Sequence, residues 1–487
     1  MRRCIIFLVF ELLTLEYASC LETRTPHIAV IGGGIGGAST SHFLTELMNG
    51  NLEIDLYEAR HVGGRLATVT IGNNTYEAGG SIIHPRNMYM QKFVKLLGLD
   101  HVTSDEEKIG IWNGDEFVFK DSGCTIVSFI QLFYRYGFQV FKLKRDVNDV
   151  ITNFEKIYEL QDAGKYFANI TALISAVNEE FPKWLQIPMK DHLLHMGYTD
   201  RLIDELAEAI VVVNYGQDTD IQSFVGLVSL AAVGSELWAV KGGNKEVPEN
   251  LIYRNKNVNV VRSRVTKIRY TADNSDSQQY EVTHMNEDNT DPMTAKYDIV
   301  IIAAPLTSDQ EFPIEFVNFP EGLEFPGRYQ TTHATFVKAD IKPEYFGLQK
   351  SLDSIFSCNP TKTIISSVSR MVSGSNKDSS PVWKLFSRKP LEMKLIHEMF
   401  SNVTEMRTFV WKAYPHYLSN TLHNSFKLHD ALYHVNAIEW IASAMEMSAI
   451  SGRNVAILAY NDFLQKHGLM QHKEIPKDIP KTRLDEL

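Results

Sequence analysis

The sequence predicts an α/β fold, with a Rossmann-like dinucleotide-binding domain interwoven with an α+β domain. Three observations predict it. First, the apolar run Ile28–Ile31 enters Gly32-Gly33-Gly34-Ile35-Gly36-Gly37, followed by a helix-like segment, Ala38–Met48, and a second strand, Glu53–Tyr57, ending at Glu58. Second, strand-like runs recur far downstream, at Val258–Val261, Val265–Ile268 and Tyr297–Pro305. Third, a short strand at Leu432–Val435 leads through Glu439 into an amphipathic helical segment, Ala444–Arg453. Segments of different periodicity separate these runs, so the nucleotide-binding domain is discontinuous.

Each residue of the first unit has a physical role. Gly32 permits the tight turn out of the strand. Gly34 lets a pyrophosphate approach the backbone, and Gly37 lets the helix pack close to the sheet. The helix N-terminus offers unpaired N–H groups to the phosphates. Glu58 is placed to accept from a ribose diol, and an acid there disfavours a 2′-phosphate.

The next residues, Glu58-Ala59-Arg60-His61-Val62-Gly63-Gly64-Arg65, resemble the signature of flavin-dependent amine oxidases and their relatives. That resemblance implies FAD and an amine-oxidase/glutathione-reductase-like fold. It further implies that Gly63, Gly64 and Arg65 embrace the flavin diphosphate, and that Gly79, Gly80 and Ser81 line the isoalloxazine. It places the backbone near Val265 against adenine, and Met445 and Glu446 at the pyrimidine end of the ring.

The expected organisation is a signal peptide at 1–20 and an FAD domain at 26–105, 234–310 and 425–468. A substrate domain takes 106–233 and 311–424, and a tail takes 469–487. The signal reading rests on Arg2 and Arg3, the apolar run Cys4–Leu15 and the small residues Ala18-Ser19-Cys20. The tail residues Leu484-Asp485-Glu486-Leu487 resemble an endoplasmic-reticulum retrieval signal with leucine in place of lysine. Sequons at Asn73, Asn169 and Asn402 are candidate glycan sites in a secreted chain, Asn73 foremost because its surroundings read as a hairpin turn. Past the signal only Cys124 and Cys358 remain, so one disulfide at most can form; a flavin link to Cys358 is conceivable, and a plain thiol is the simpler reading.

The 487 residues are 44% hydrophobic and 22% charged, an ordinary balance for a large globular enzyme. A net charge of −11, with no basic run or zinc spacing, argues against a nucleic-acid partner. Ile126, Phe129, Ile130, Phe133, Tyr134, Phe138 and Phe141 recur at helical spacing. They read as a core helix or as the wall of a deep apolar pocket. Arg135, Lys142, Lys144 and Arg145 would make the other edge a candidate membrane contact.

Several further stretches are similar to the prenylcysteine oxidase family. They are Val62–Thr68, Tyr76–Pro85, Arg135–Gln139, Asn214–Asp220, Leu237–Lys245, Ala413–Tyr417 and the Met445 region, and together they cover essentially the mature chain. The resemblance implies an oxidase of farnesyl- or geranylgeranyl-cysteine. Hydride passes to the flavin, water adds to the oxidised carbon, and cysteine and a prenyl aldehyde are released; oxygen returns as hydrogen peroxide. It implies no metal, and a lysosomal location. His84 and Lys241 are candidates for assisting the water. A histidine before proline is more often structural, and the family commonly has an acid where Lys241 stands. Two alternatives stay open: a flavin- or lipid-binding relative without this activity, and a secreted flavin amine oxidase.

Overall fold

The computed structural model describes residues 25–103, 108–232, 235–271, 279–286, 289–371, 380–419 and 425–469. The expected signal peptide and nearly all of the C-terminal tail lie outside the described residues.

A six-stranded sheet forms the centre. Its strands are β1 (His27–Ile31), β2 (Glu53–Tyr57), β3 (Val258–Val261), β4 (Ile299–Ile302), β5 (Lys427–His429) and β6 (Leu432–His434), in the order β5-β6-β4-β1-β2-β3. All neighbours are parallel except the edge pair β5–β6. Ile28, Ala29 and Val30 are wholly buried, as are Val300, Ile301 and Ile302. Continuous apolar strands of this kind suit a parallel sheet covered on both faces.

The helix Ile35–Leu47 and the terminal helix Met445–Lys466 pack together. Their approach is close because Gly452 has no side chain; a Cβ there would sit 2.3 Å from Ser39 Oγ and 3.1 Å from the Thr40 nitrogen. Both helices are buried over most of their length, including Ser39, Thr40 and Ser41 of the first and Glu446, Ser451 and Asn454 of the terminal one. A four-stranded sheet, containing Arg264–Tyr270, Tyr280–Asn286, Asn289–Tyr297 and Glu315–Val317, packs beside β2. Tyr57 and Tyr297 share a 2.6 Å hydroxyl contact there, and Tyr297 donates to Asp55 at 2.8 Å.

A seven-stranded sheet, drawn from residues 109–120 and 329–415, faces the central assembly. Its longest pair joins Tyr329–Ile341 to Phe400–Pro415. The hairpin of Thr68–Ile71 and Asn74–Glu77 packs on it through Val69, Ile71 and Tyr76. Helices between Thr125 and Leu230 complete the fold.

One expectation is overturned. The aromatic stripe is neither a core helix nor a pocket wall: Ile126, Phe129, Ile130, Phe133, Tyr134, Phe138 and Phe141 are all exposed. Within the helix Thr125–Tyr136 only Ser128 and Tyr136 are buried. Helical spacing shows that one face is apolar, but not what covers it. Cys124 and Cys358 are both free thiols, so the possible disulfide is absent.

Gly452→Val should destabilise the protein by about 1–3 kcal/mol, because the two helices must separate to admit the new side chain. Chemical denaturation should show a lower midpoint; an unchanged midpoint would contradict the close-packing account.

Candidate cofactor and active site

The first glycine loop leaves β1 with Gly32 at φ +112°, its N–H donating to the Tyr57 carbonyl at 2.8 Å. A Cβ on Gly32 would lie 2.5 Å from the Ala303 oxygen, and one on Gly37 only 2.0 Å from the Gly32 oxygen. The fold itself demands these two glycines. Gly34 is different. Its φ of −74° suits any residue, and a Cβ would find nothing closer than 3.9 Å. Open space beside the start of a helix is what a close-lying phosphate requires. The helix beginning at Ile35 has no side-chain cap and no acid in its first turn.

Glu58 closes one side of this cradle. Its carboxylate accepts from the Gly33 and Arg60 N–H groups, each at 2.8 Å. These bonds fix its orientation, and each oxygen retains a lone pair for a diol. The second glycine turn folds onto the first. Gly63 N–H donates to the Gly33 carbonyl at 2.9 Å, and a Cβ on Gly64 would lie 3.3 Å from Gly34 Cα. Positive φ at Gly63 and Gly64 permits this reversal.

Arg65 leaves that turn and forms a bidentate pair with Glu439, and also donates to the Ala413 carbonyl at 2.7 Å. Glu439 is buried and also accepts from Tyr329 at 2.6 Å and Asn436 at 2.7 Å. Burial lowers the Arg65 pKa, but the facing carboxylate more than offsets this and leaves it raised. Tyr417 donates to the Glu439 carbonyl at 3.0 Å, and its ring meets Tyr215 edge-on, as Tyr414 does.

The Gly79–Ser81 loop lies against the same turn. Gly80 N–H donates to the Arg65 carbonyl at 3.1 Å, and a Cβ on Gly79 would come within 1.8 Å of that oxygen. Lys384, from the seven-stranded sheet, is buried beneath this loop. Its ammonium donates to the Glu77 carbonyl at 2.9 Å and reaches Ser81 Oγ at 3.4 Å. Burial lowers the Lys384 pKa to about 8 and raises that of Glu77 to about 7. Glu77 Oε1 accepts from the Asn244 N–H at 2.5 Å, while its buried Oε2 has no partner among the described residues.

The remaining candidates fall in different places. Met445 opens the terminal helix, whose N-terminus has no side-chain cap. The Glu446 carboxylate turns away from its own helix and accepts from the Tyr89 and Met90 N–H groups and from the Tyr158 hydroxyl, at 2.7–2.9 Å. It therefore caps the helix Met88–Leu97, and burial raises its pKa to about 7. Val265 is buried at the irregular start of its strand.

His84 has both ring nitrogens engaged. Nδ1 accepts from the Arg86 N–H at 3.1 Å, so Nε2 carries the proton and donates to Ser235 Oγ at 2.9 Å. No basic nitrogen is left to take a proton from water. The Lys241 side chain is 70% exposed and lies 3.7 Å from Asp100, out on the surface. Cys358 is buried with its thiol donating to the Trp112 carbonyl, and burial pushes its pKa up to about 12. It is an inert packing residue in this setting.

Sequence reasoning met Glu439 and the stretches holding Tyr215, Tyr414 and Tyr417 without giving these residues a role, and passed over Tyr329 and Lys384. A signal existed for Glu439: a buried arginine needs an acid, and Glu439 stands in the strand-to-helix connection of the last segment. Nothing local marks Lys384, which looks like any strand lysine.

The prenylcysteine lyase family model matches residues 119–472. The chain belongs to the prenylcysteine lyase family. A model for an NAD(P)-binding Rossmann-like domain matches residues 30–97, the span of both glycine turns and the Gly79–Ser81 loop. Prenylcysteine oxidase 1 of Mus musculus is 36% identical over 459 residues, covering 90% of each chain. The Homo sapiens protein of that name is 36% identical over 477 residues, covering 92% of this chain and 93% of its own. Prenylcysteine oxidase 1-like of Bos taurus is 32% identical and covers 96% and 97%. A putrescine oxidase variant shares the fold at a TM-score of 0.59 and 13% identity, covering 90% of this chain and 100% of its own. Cyclohexylamine oxidase from Brevibacterium oxydans does so at 0.55 and 12%, covering 90% and 100%. At those identities the likeness is one of fold alone.

Two outcomes test the site. Gly34→Ala should keep the denaturation midpoint yet weaken dinucleotide binding roughly tenfold or more, since the new methyl occupies the phosphate's space. Gly37→Ala should instead lower the midpoint. The second outcome concerns pH. Glu446 has a raised native pKa, so its contribution is fully present below the unfolded value and is lost as pH rises through about 7. The melting temperature of Glu446→Gln relative to the parent should therefore climb between pH 5 and pH 8; a flat difference would contradict burial of a titrating carboxyl.

Proposed function

We propose that this chain is an FAD-dependent prenylcysteine oxidase. It cleaves the thioether of farnesyl- or geranylgeranyl-cysteine with oxygen and water, releasing cysteine, the prenyl aldehyde and hydrogen peroxide. Near-full-length similarity to proteins named prenylcysteine oxidase 1 carries this reading. The cradle supports it, because Gly34 has no reason within the fold to lack a side chain.

The bound flavin supplies the two-electron acceptor. The protein's own residues bind, orient and exclude water. The uncapped helix start at Ile35 and the space at Gly34 receive the diphosphate. Glu58 receives the ribose, and the helix start at Met445, which has no side-chain cap, offers partial positive charge to the ring. Arg65, locked by Glu439, ties the second glycine turn to the connection before the terminal helix. Lys384 keeps its proton below about pH 8, so it serves there as a hydrogen-bond donor and fixed charge rather than a base. Tyr215, Tyr414 and Tyr417 form an edge-to-face aromatic cluster beside Glu439 and supply apolar surface toward the substrate.

Secretory transit and a lysosomal destination fit the N-terminal segment and the family. Asn73 is the preferred glycan acceptor, being exposed on a hairpin turn. The Asn402 amide nitrogen is engaged by Asp340 at 2.9 Å, and the Asn169 oxygen caps the helix Ile170–Val177.

The test is aerobic turnover. Farnesylcysteine should yield peroxide and farnesal in equal amounts, while primary amines should yield neither. Peroxide from amines without thioether cleavage would overturn the proposal in favour of an amine oxidase.

A further inference from the structure

The exposed aromatic face has a shape and a charge pattern of its own. Tyr134 is 92% exposed, Phe138 77% and Ile126 70%. Ring contacts make the face continuous across two helices, with Phe129 and Phe141 centroids 5.4 Å apart and Phe133 and Phe138 5.0 Å apart.

The face is held rigidly outward. Arg135 pairs with Glu205 at 2.5 and 2.6 Å, Tyr136 donates to the same carboxylate at 2.9 Å, and Ser128 donates to Asp121 at 2.6 Å. On the second helix, Leu143, Val147 and Val150 are buried on the opposite side. The aromatic side chains therefore cannot turn inward without breaking these anchors.

Charge follows the aromatic stripe. Phe138, Phe141, Lys144 and Arg145 fall at i, i+3, i+6 and i+7 along one exposed face, which puts cations about one helical turn, ~5 Å, from the rings. Of the neighbouring acids, Asp121 is engaged by Ser128, Glu205 by Arg135, and Asp146 by Tyr198 at 2.8 Å and by Arg145, while Asp149 is exposed one turn beyond Arg145. That leaves Lys142, which donates to the Met196 carbonyl, and Lys144 as the cations of this edge without an acid partner among the described residues.

We propose that the helix pair spanning Thr125–Tyr136 and Gln139–Phe154 docks on an anionic lipid bilayer. The projecting rings enter the acyl boundary, and Lys144 and Arg145 lie in the headgroup layer. Side chains this far out of the surface suit a fluid phase, whereas a protein partner's anchors seat in pockets. Among the described residues no helix is long and apolar enough to cross a membrane, so the contact is interfacial. The prenylated substrate would collect at the same interface; that link rests on the proposed function, while the docking does not.

Vesicle flotation of the mature full-length chain tests this. The protein should float with phosphatidylcholine vesicles containing phosphatidylserine, and more weakly with phosphatidylcholine alone. Lys144→Glu with Arg145→Glu should weaken binding to the anionic vesicles about tenfold or more. Phe133→Ser, Tyr134→Ser and Phe138→Ser together should abolish flotation without lowering the melting temperature. Failure of the parent chain to float with either vesicle would overturn the proposal. So would an aromatic variant that floats like the parent, or a dimer in sedimentation velocity that the aromatic changes dissolve. None of these readouts depends on turnover.

Discussion

The pair between Arg65 and Glu439 is the contact on which the site depends. The two residues lie 374 positions apart in sequence. Arg65 belongs to the second glycine turn, and Glu439 to the connection before the terminal helix. Tyr329, the first residue of the long strand of the seven-stranded sheet, donates to the same carboxylate, and Asn436 fills a further lone pair. A buried ion pair adds little net stability over apolar packing, but losing one partner costs about 3–5 kcal/mol. Its value here is positional, because three separate parts of the chain are registered at one carboxylate.

The loops around that pair are built by exclusion. Gly79 and Gly80 pass over the Arg65 carbonyl and Gly63 and Gly64 fold onto Gly33 and Gly34; a side chain at Gly63 or Gly79 would strike backbone, and one at Gly80 or Gly33 would crowd a neighbouring side chain. Gly34 is the exception, with open space where a side chain would stand. Beneath the loops, the seven-stranded sheet contributes Lys384, a buried ammonium held by a backbone carbonyl and a serine hydroxyl. Lys384 and the Glu77 carboxyl, each shifting the other's titration, thus lie together beneath the Gly79–Ser81 loop.

The central sheet and its glycine loop were legible because local pattern and tertiary role coincide. Ile28–Ile31 is apolar on both faces, as a central parallel strand must be, and Gly32 and Gly37 stand where any side chain would collide. Glu58 stands at the end of β2 beside the glycine loop, as the strand pattern places it. Glu446 was not: its position at a helix start suggested a ligand contact, yet its carboxylate caps a different helix far away in sequence. The same limit applies to Lys384 and the tyrosine cluster, whose meaning comes from long-range packing. The aromatic stripe shows the limit most plainly. Periodicity revealed one apolar face on Thr125–Tyr136, and only the tertiary structure shows that face uncovered.

The most direct measurement is an anaerobic titration of the purified mature chain with farnesylcysteine, followed in the visible spectrum. The account predicts a yellow protein whose oxidised-flavin band near ~450 nm bleaches in proportion to added thioether. A bound flavin that stays oxidised in the presence of excess farnesylcysteine would contradict the assigned reaction, and a folded preparation that binds no flavin would contradict the reading of the cradle itself.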